Sequence, residues 1–290
     1  MSFETDQRPD TATDPLSANT RDNGRLKTDD LARFAADTAA CVRFFSRLPL
    51  QPVNRFDDPA AAPDFTRIAR AAPAAGAIIA LPAAAFGLLL SHSALPVVAV
   101  AVIIVGLLAA TTGGLHEDGL GDVADGFFGG TTRQRRLEIM KDSRIGAFGV
   151  LALVLSILLR VALLAALFQR FSPADAALLF LGSEALSRAL VVWQWNRLPS
   201  ARPDGLGARF GKPGQRAVNQ ALLVTLPFLI PALLLLPFTG LFLGLALATG
   251  AAYGTGRIAR AKIGGATGDV LGAVQQLSAL GFVTGMIMVP

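Results

Sequence analysis

Long runs of apolar side chains alternate with short polar segments along most of this chain, and the length of each run decides what it can be. A helix that crosses a bilayer takes about 20 predominantly apolar residues. Residues 71–91, 95–112, 146–168, 175–195, 218–238, 241–256 and 270–290 meet or approach that length. The sixth is short and glycine-rich. Ahead of them, from Asp30, the pattern is different: Leu31, Phe34, Thr38, Cys41, Val42, Phe45 and Leu48 recur at helical spacing, with Arg33, Asp37, Arg43 and Arg47 elsewhere on the wheel. That spacing predicts an amphipathic helix, either lying on the cytoplasmic leaflet or packed on the cytoplasmic ends of the spans. Residues 1–29 are polar, lack the apolar stretch of a secretory signal, and read as a disordered extension. The fold class expected is all-α, a polytopic membrane helix bundle of about seven transmembrane helices, with one integral membrane domain over residues 30–290.

Composition agrees with the pattern, because 52% of the residues are hydrophobic, 16% are charged, and the mean hydropathy is +0.51. Charge then sets an orientation. Of the 26 Lys and Arg, Arg160 and Arg188 fall inside spans and only Arg170 falls in a connection on the far side. The positive-inside rule makes the loaded side cytoplasmic. The net charge of +5 is therefore mainly topological, and no basic stripe with interleaved aromatics argues for nucleic acid. Cys41 is the single cysteine, which excludes an internal disulfide and any multi-cysteine metal site.

One polar segment stands out. "GGLHEDGLGDVADGFFGG", residues 113–130, follows the second span with four carboxylates and a histidine, and no Lys or Arg follows until Arg133. Asp118, Asp122 and Asp125 are spaced i, i+4, i+7, which on a helix puts them on one face. Carboxylates about 5 Å apart at an effective dielectric near 20 repel by about 3 kcal/mol per pair. A divalent cation relieves that repulsion. Oxygen-only ligation selects a hard ion, Mg²⁺ first, which commonly shares its shell with waters and substrate phosphates. A solvated acidic loop is the plain alternative. Downstream, in "RRLEIMKDSRIGAFG", Glu138 and Asp142 are again i, i+4 on an expected second helix, with Lys141 and Arg144 beside them. Carboxylates, metal and cationic clamps make up a kit for displacement at phosphorus. In "KIGGATGDVLG", the glycines Gly264, Gly265 and Gly268 open the last span with Thr267 and Asp269. Amides at such a start cradle phosphate, although a simple helix cap explains Thr267 or Asp269 equally well. Glu184 and Arg188, i, i+4 inside the fourth span, are expected to pair or face the bundle interior, with Arg188 within reach of a phosphate. Trp193 and Trp195 read as interfacial anchors.

"DVADG" followed by a glycine turn resembles in outline the signature of CDP-alcohol phosphotransferases, without the Ala-Arg pair that follows the turn there. A much closer resemblance joins "GGLHEDGLGDVADGFFGG", "LEIMKDSRIGAFG", "GGATGDVLGAVQQ", "FFSRLPL" and the "GLG" after Arg202. In this order over Phe44 to Gln276 they are similar to the cobalamin synthase family, the adenosylcobinamide-GDP ribazoletransferases. The resemblance implies a multi-pass enzyme of the bacterial inner membrane with its active site facing the cytoplasm. Its substrates are adenosylcobinamide-GDP and α-ribazole or α-ribazole 5′-phosphate, its by-product is GMP, and it requires Mg²⁺. Set on this sequence, it implies Asp118, Asp122 and Asp125 as metal ligands, completed by Asp142, with His116, Glu138 and Asp269 as candidate catalytic groups. Lys141, Arg144, Arg188, Gly264, Gly265, Thr267 and Gly268 are the candidate substrate-binding residues. The lipid bilayer is the expected surroundings, and other late cobalamin-biosynthesis enzymes are candidate partners. From a different class, a divalent-cation transporter also gathers acidic residues in a membrane, but near the bilayer midplane.

Overall fold

The computed structural model describes residues 15–290, with side chains described from Thr28 onward. Of the disordered extension expected over residues 1–29, residues 1–14 lie outside the described residues, while residues 15–29 are helical and not a disordered tail. Helix α1 (Pro15–Phe45) is described from a proline at its first position, ahead of the expected start at Asp30. Its buried face, with Ala36, Ala39, Cys41 and Val42, packs on the single 3-10 turn Ile68–Ala71 and on α2 (Ala72–Leu90). Ion pairs fix it there: Asp37, almost fully buried, takes Arg70 at 2.8 Å and Arg67 at 3.3 Å, and Arg43 pairs with Asp57. Of the two placements open for this helix, the structure shows the one packed on the bundle.

The seven apolar runs are all helices: α2, α3 (Val97–Thr112), α6 (Ala147–Arg170), α7 (Pro173–Arg197), α9 (Gln215–Leu235), α10 (Phe238–Ile263) and α11 (Gly268–Ile287). Between them lie the shorter α4 (Leu115–Gly129), α5 (Arg133–Ile139) and α8 (Leu206–Phe210). The only β pairing among the described residues is an isolated parallel bridge between Ser200 and Ala266. The molecule is an all-α polytopic membrane bundle.

Six of the helices are long and apolar enough to cross a membrane alone, and the bent pair of α3 and α4 meets the same test only taken together, for up to seven spans. At 1.5 Å per residue the 16 residues of α3 reach only about 24 Å. Two consecutive left-handed glycines, Gly113 (φ 66°) and Gly114 (φ 71°), then turn the chain, and α4 leaves α3 at 89°. Residues with a Cβ pay for that conformation, whereas glycine adopts it freely. The acidic segment is therefore a helix of its own, bent away from the spans.

α7 and α11 are the most enclosed spans, while α6, α9 and α10 leave most of their residues outside the packed interior. Leu151, Leu155 and Leu158 on α6 and Leu223, Leu226 and Leu233 on α9 are exposed. Such a surface calls for lipid rather than water. The short sixth span expected over 241–256 is a 26-residue helix. Its glycines do not break it, and Gly244 is a point of close contact: a Cβ on Gly285 of α11 would lie 2.2 Å from the Gly244 nitrogen of α10. The helix runs on through Arg257, Arg260 and Lys262 to a left-handed cap at Gly264.

Candidate active site

All the long connections lie on one face of the bundle, and the acidic helix is fixed there by close backbone contact. A Cβ on Gly119 of α4 would meet the Asp269 carbonyl oxygen at 2.9 Å, and one on Gly272 of α11 would meet the His116 backbone at 3.4 Å. These approaches lay α4 across the start of α11, so Asp118 and Asp122 come beside Asp269. Thr267 caps α11, its hydroxyl accepting from the Val270 amide at 3.3 Å and donating to Asp269 Oδ2 at 3.1 Å.

A cavity of about 490 Å³ opens at this junction. His116, Asp118, Lys141, Arg188, Thr267, Gly268 and Asp269 line it, together with Arg202, Asp204, Arg209 and the apolar Phe44, Phe45, Trp195 and Leu271. Asp122, half-buried behind Asp118, has its carboxyl pushed up to about 7, chiefly by burial and then by the charges of Asp118, Asp269 and Asp125, with Arg202 opposing. Asp118 and Asp269 border the cavity, and Asp122 and Asp125, outside its lining, add to the same cluster of negative charge.

The floor carries the opposite charge. Glu184 and Arg188 pair as expected, and Arg160 joins them at 3.3 Å from Glu184, while Gln275 donates to Glu184 Oε2 at 3.1 Å. Two guanidinium groups on one carboxylate leave a net positive charge in the bundle interior, and Gly76 on α2 gives Arg188 its room. Burial and then the nearby Arg188 and Arg160 hold His116 well below the usual histidine range. Its imidazole is neutral at physiological pH and stacks on Phe45 at 6.3 Å between centroids.

Several expected site residues lie elsewhere. Asp125 turns to α6 and accepts from the amides of Gly146 (2.7 Å) and Gly149 (2.8 Å), satisfying helix-start donors that Gly146 has no side chain to reach. The second acidic helix stops at Ile139, so Asp142 falls beyond it and pairs with Arg144 at 2.6 Å on the surface. Glu138 is exposed and engages Arg135 at 3.4 Å. None of these four lines the cavity. Gly264 forms the left-handed end of α10, and Gly265 lies against the Pro199 carbonyl, where a Cβ would sit 2.0 Å away. Neither glycine lines the cavity, whereas Thr267 and Gly268 do. Trp195 is buried against Phe65 at 4.8 Å and is part of the cavity wall, not an interfacial anchor.

Arg202 and the loop before α8 are what the sequence pattern did not single out. The loop is tied to α11 through Ala266 N to Pro199 O (2.8 Å) and Ala201 N to Ala266 O (2.9 Å). Arg133 bridges it to α10, donating to Ile263 O (2.8 Å) and Ala201 O (2.9 Å). Arg202 donates to Leu137 O at 3.0 Å and keeps a buried Nε with no partner. The available signal was its place directly ahead of the glycine pair at Gly205 and Gly207.

Among the described residues no three His, Cys, Asp or Glu side chains are grouped closely enough to hold a metal ion by themselves. The donor set still fits Mg²⁺, which takes one or two carboxylates and fills its shell with water and substrate oxygens. Among the described residues, the carboxylate in the bundle interior, Glu184, is not free for cation passage but is held by two arginines.

The chain matches the family model described as cobalamin-5-phosphate synthase over residues 37–287. It is 45% identical over 255 residues to an adenosylcobinamide-GDP ribazoletransferase of Brucella anthropi, covering 87% of this chain and 96% of that protein. It is 45% identical over 261 residues to the protein of the same name from Azorhizobium caulinodans, covering 89% and 97%. The relative from Rhizobium etli is 44% identical over 250 residues, covering 84% and 93%. No solved structure matches the chain. A match running from the buried Asp37 of α1 to the last turn of α11 takes in every wall of the cavity, and the chain belongs to the cobalamin-5-phosphate synthase family.

Proposed function

We propose that the protein is a membrane-embedded adenosylcobinamide-GDP ribazoletransferase working by Mg²⁺-dependent phosphoryl transfer, with its cavity facing the cytoplasm of a bacterial inner membrane. The observation that carries this reading is the meeting of Asp118 and Asp269 with Lys141, Arg188 and Arg202 around one cavity, with the Asp122 carboxyl set behind the lining and under the charge of both carboxylates. A ribose hydroxyl of α-ribazole or its 5′-phosphate forms a new bond to the phosphorus that bears cobinamide, and the bond from that phosphorus to GMP breaks.

Asp118, Asp122 and Asp269 are the residues that would hold Mg²⁺, and the ion would neutralise charge on the pyrophosphate and on the departing GMP. Lys141 and Arg202 flank the phosphate oxygens. Arg188 supplies positive potential from the floor, where low dielectric makes it strong. His116, kept neutral, is placed to take the proton of the attacking hydroxyl. An anionic substrate beside it offsets the pull of Arg188 and Arg160, so its basicity rises as the site fills.

The test is GMP release from adenosylcobinamide-GDP by purified protein in detergent, with and without α-ribazole and with Mg²⁺ or a chelator. Release that needs both the acceptor and the ion is the expected result. Release without acceptor, or unaffected by the chelator, overturns the reading.

A further inference from the structure

A second cleft, of about 610 Å³, lies against the first and shares Phe44, Leu115 and Asp118 with it. Its own wall comes from the end of α1 and the α3–α4 turn, with Arg43, Ser46, Arg47 and Thr112 as the polar side chains. Most of these are already committed. Arg43 pairs with Asp57, the Ser46 hydroxyl donates to Val42 O at 2.7 Å, and that of Thr112 to Leu108 O at 3.1 Å. Arg47 is different. Its backbone amide is fixed to Thr111 O at 2.8 Å, and its side chain lies over Gly113, where a Cβ would meet Nε at 2.7 Å. The left-handed glycine thus gives the guanidinium its seat, yet that group, on an exposed residue, makes no ion pair or side-chain hydrogen bond among the described residues.

Resting on the ribazoletransferase reading, we infer that the two clefts hold the two substrates on either side of Asp118, and that Arg47 binds a phosphate monoester carried by the acceptor nucleoside. The assignment follows from charge. The first cavity has several carboxylates and cations, which suits a metal-bound diphosphate. The second has Asp118 at its inner wall and one uncommitted guanidinium, which suits a phosphate group that takes no part in the reaction. An acceptor seated there carries its 5′-phosphate unchanged into the product, while its ribose hydroxyl reaches across the Asp118 partition to the phosphorus under attack.

The experiment compares α-ribazole 5′-phosphate with free α-ribazole as acceptors at saturating adenosylcobinamide-GDP. For Arg47→Ala, the ratio of kcat/KM for the phosphorylated to the free acceptor falls at least tenfold, and Arg47→Lys restores part of it. An unchanged ratio overturns the inference. With the unaltered enzyme, ribose 5-phosphate inhibits competitively against the phosphorylated acceptor and not against adenosylcobinamide-GDP; competition with the donor overturns the assignment whatever the variants do. Equal loss with both acceptors that tracks the anionic lipid content of nanodiscs assigns the cleft to a lipid headgroup and also overturns it. Failure of the unaltered enzyme to release GMP with either acceptor is a failure of the ribazoletransferase reading itself, and is told apart in that way.

Discussion

Asp118 and Asp125 share one helical face, but seven residues separate them by about 10 Å along the axis, and the two ends of that face meet different neighbours. Asp118 borders the cavity, whereas Asp125 is enclosed against the start of α6. Spacing in a sequence shows which residues share a face and not what stands opposite each of them, so Asp125 was indistinguishable from its partners before the fold was known. Asp125→Asn turns one acceptor into a donor facing amides, and is expected to cost about 1–3 kcal/mol of stability, read as a lower thermal midpoint, while the folded fraction still turns over. Asp122→Asn has the opposite signature: at least a hundredfold loss of GMP release from a protein that inserts and is no less stable to heat. Near-normal turnover of Asp122→Asn at ordinary Mg²⁺ would remove it from the metal set. Asp122 also ties stability to pH. Its carboxyl keeps a proton up to about 7 in the folded chain and releases it near 4 when unfolded. Folding therefore takes up a proton between these values, and this group's contribution, complete below 4, is lost as pH rises through 7. Metal-free protein should melt at a higher temperature at pH 5 than at pH 8, with a smaller difference in Asp122→Asn.

Among the elements, the spans were legible because length and apolarity decide them directly, and the acidic stretch was legible as a helix from its register. What escaped was where helices end. α5 stops at Ile139, with the Met140 carbon framework packed under Gly126, so the i, i+4 pair of Glu138 and Asp142 straddles a helix end. α10 outran its expected limits although glycine lowers helix propensity, because close packing on α11, with Gly244 at the contact, holds the helix together. The glycines of residues 264–268 looked like a cradle, but part of that signature is the pairing of two loops, a tertiary fact with no local sign. Gly265→Ala tests this directly. A Cβ there must displace Pro199, so the loop carrying Arg202 should separate from α11, with lower activity and a lower thermal midpoint. An unaffected Gly265→Ala would show that the loop needs no such contact.

For the molecule as a whole, the arrangement of connections makes topology testable with thiols. Cys41 is fully buried, and burial pushes its thiol well above the usual range, so background labelling is low. Cysteines placed at Thr131 or Gly207 should be shielded from an impermeant thiol reagent added to intact cells, and one at Ser93 should be labelled. Labelling at Thr131 or Gly207 would reverse the orientation. Among the described residues, the connections on the far face are short: residues 91–96, 171–172 and 236–237 join its helices. No wall on that side can recognise a nucleotide or a corrinoid. Product that leaves on the side where its precursors arrive contends with them for the same cavity, so accumulated product is expected to slow the enzyme by competition alone, which a product-inhibition assay checks.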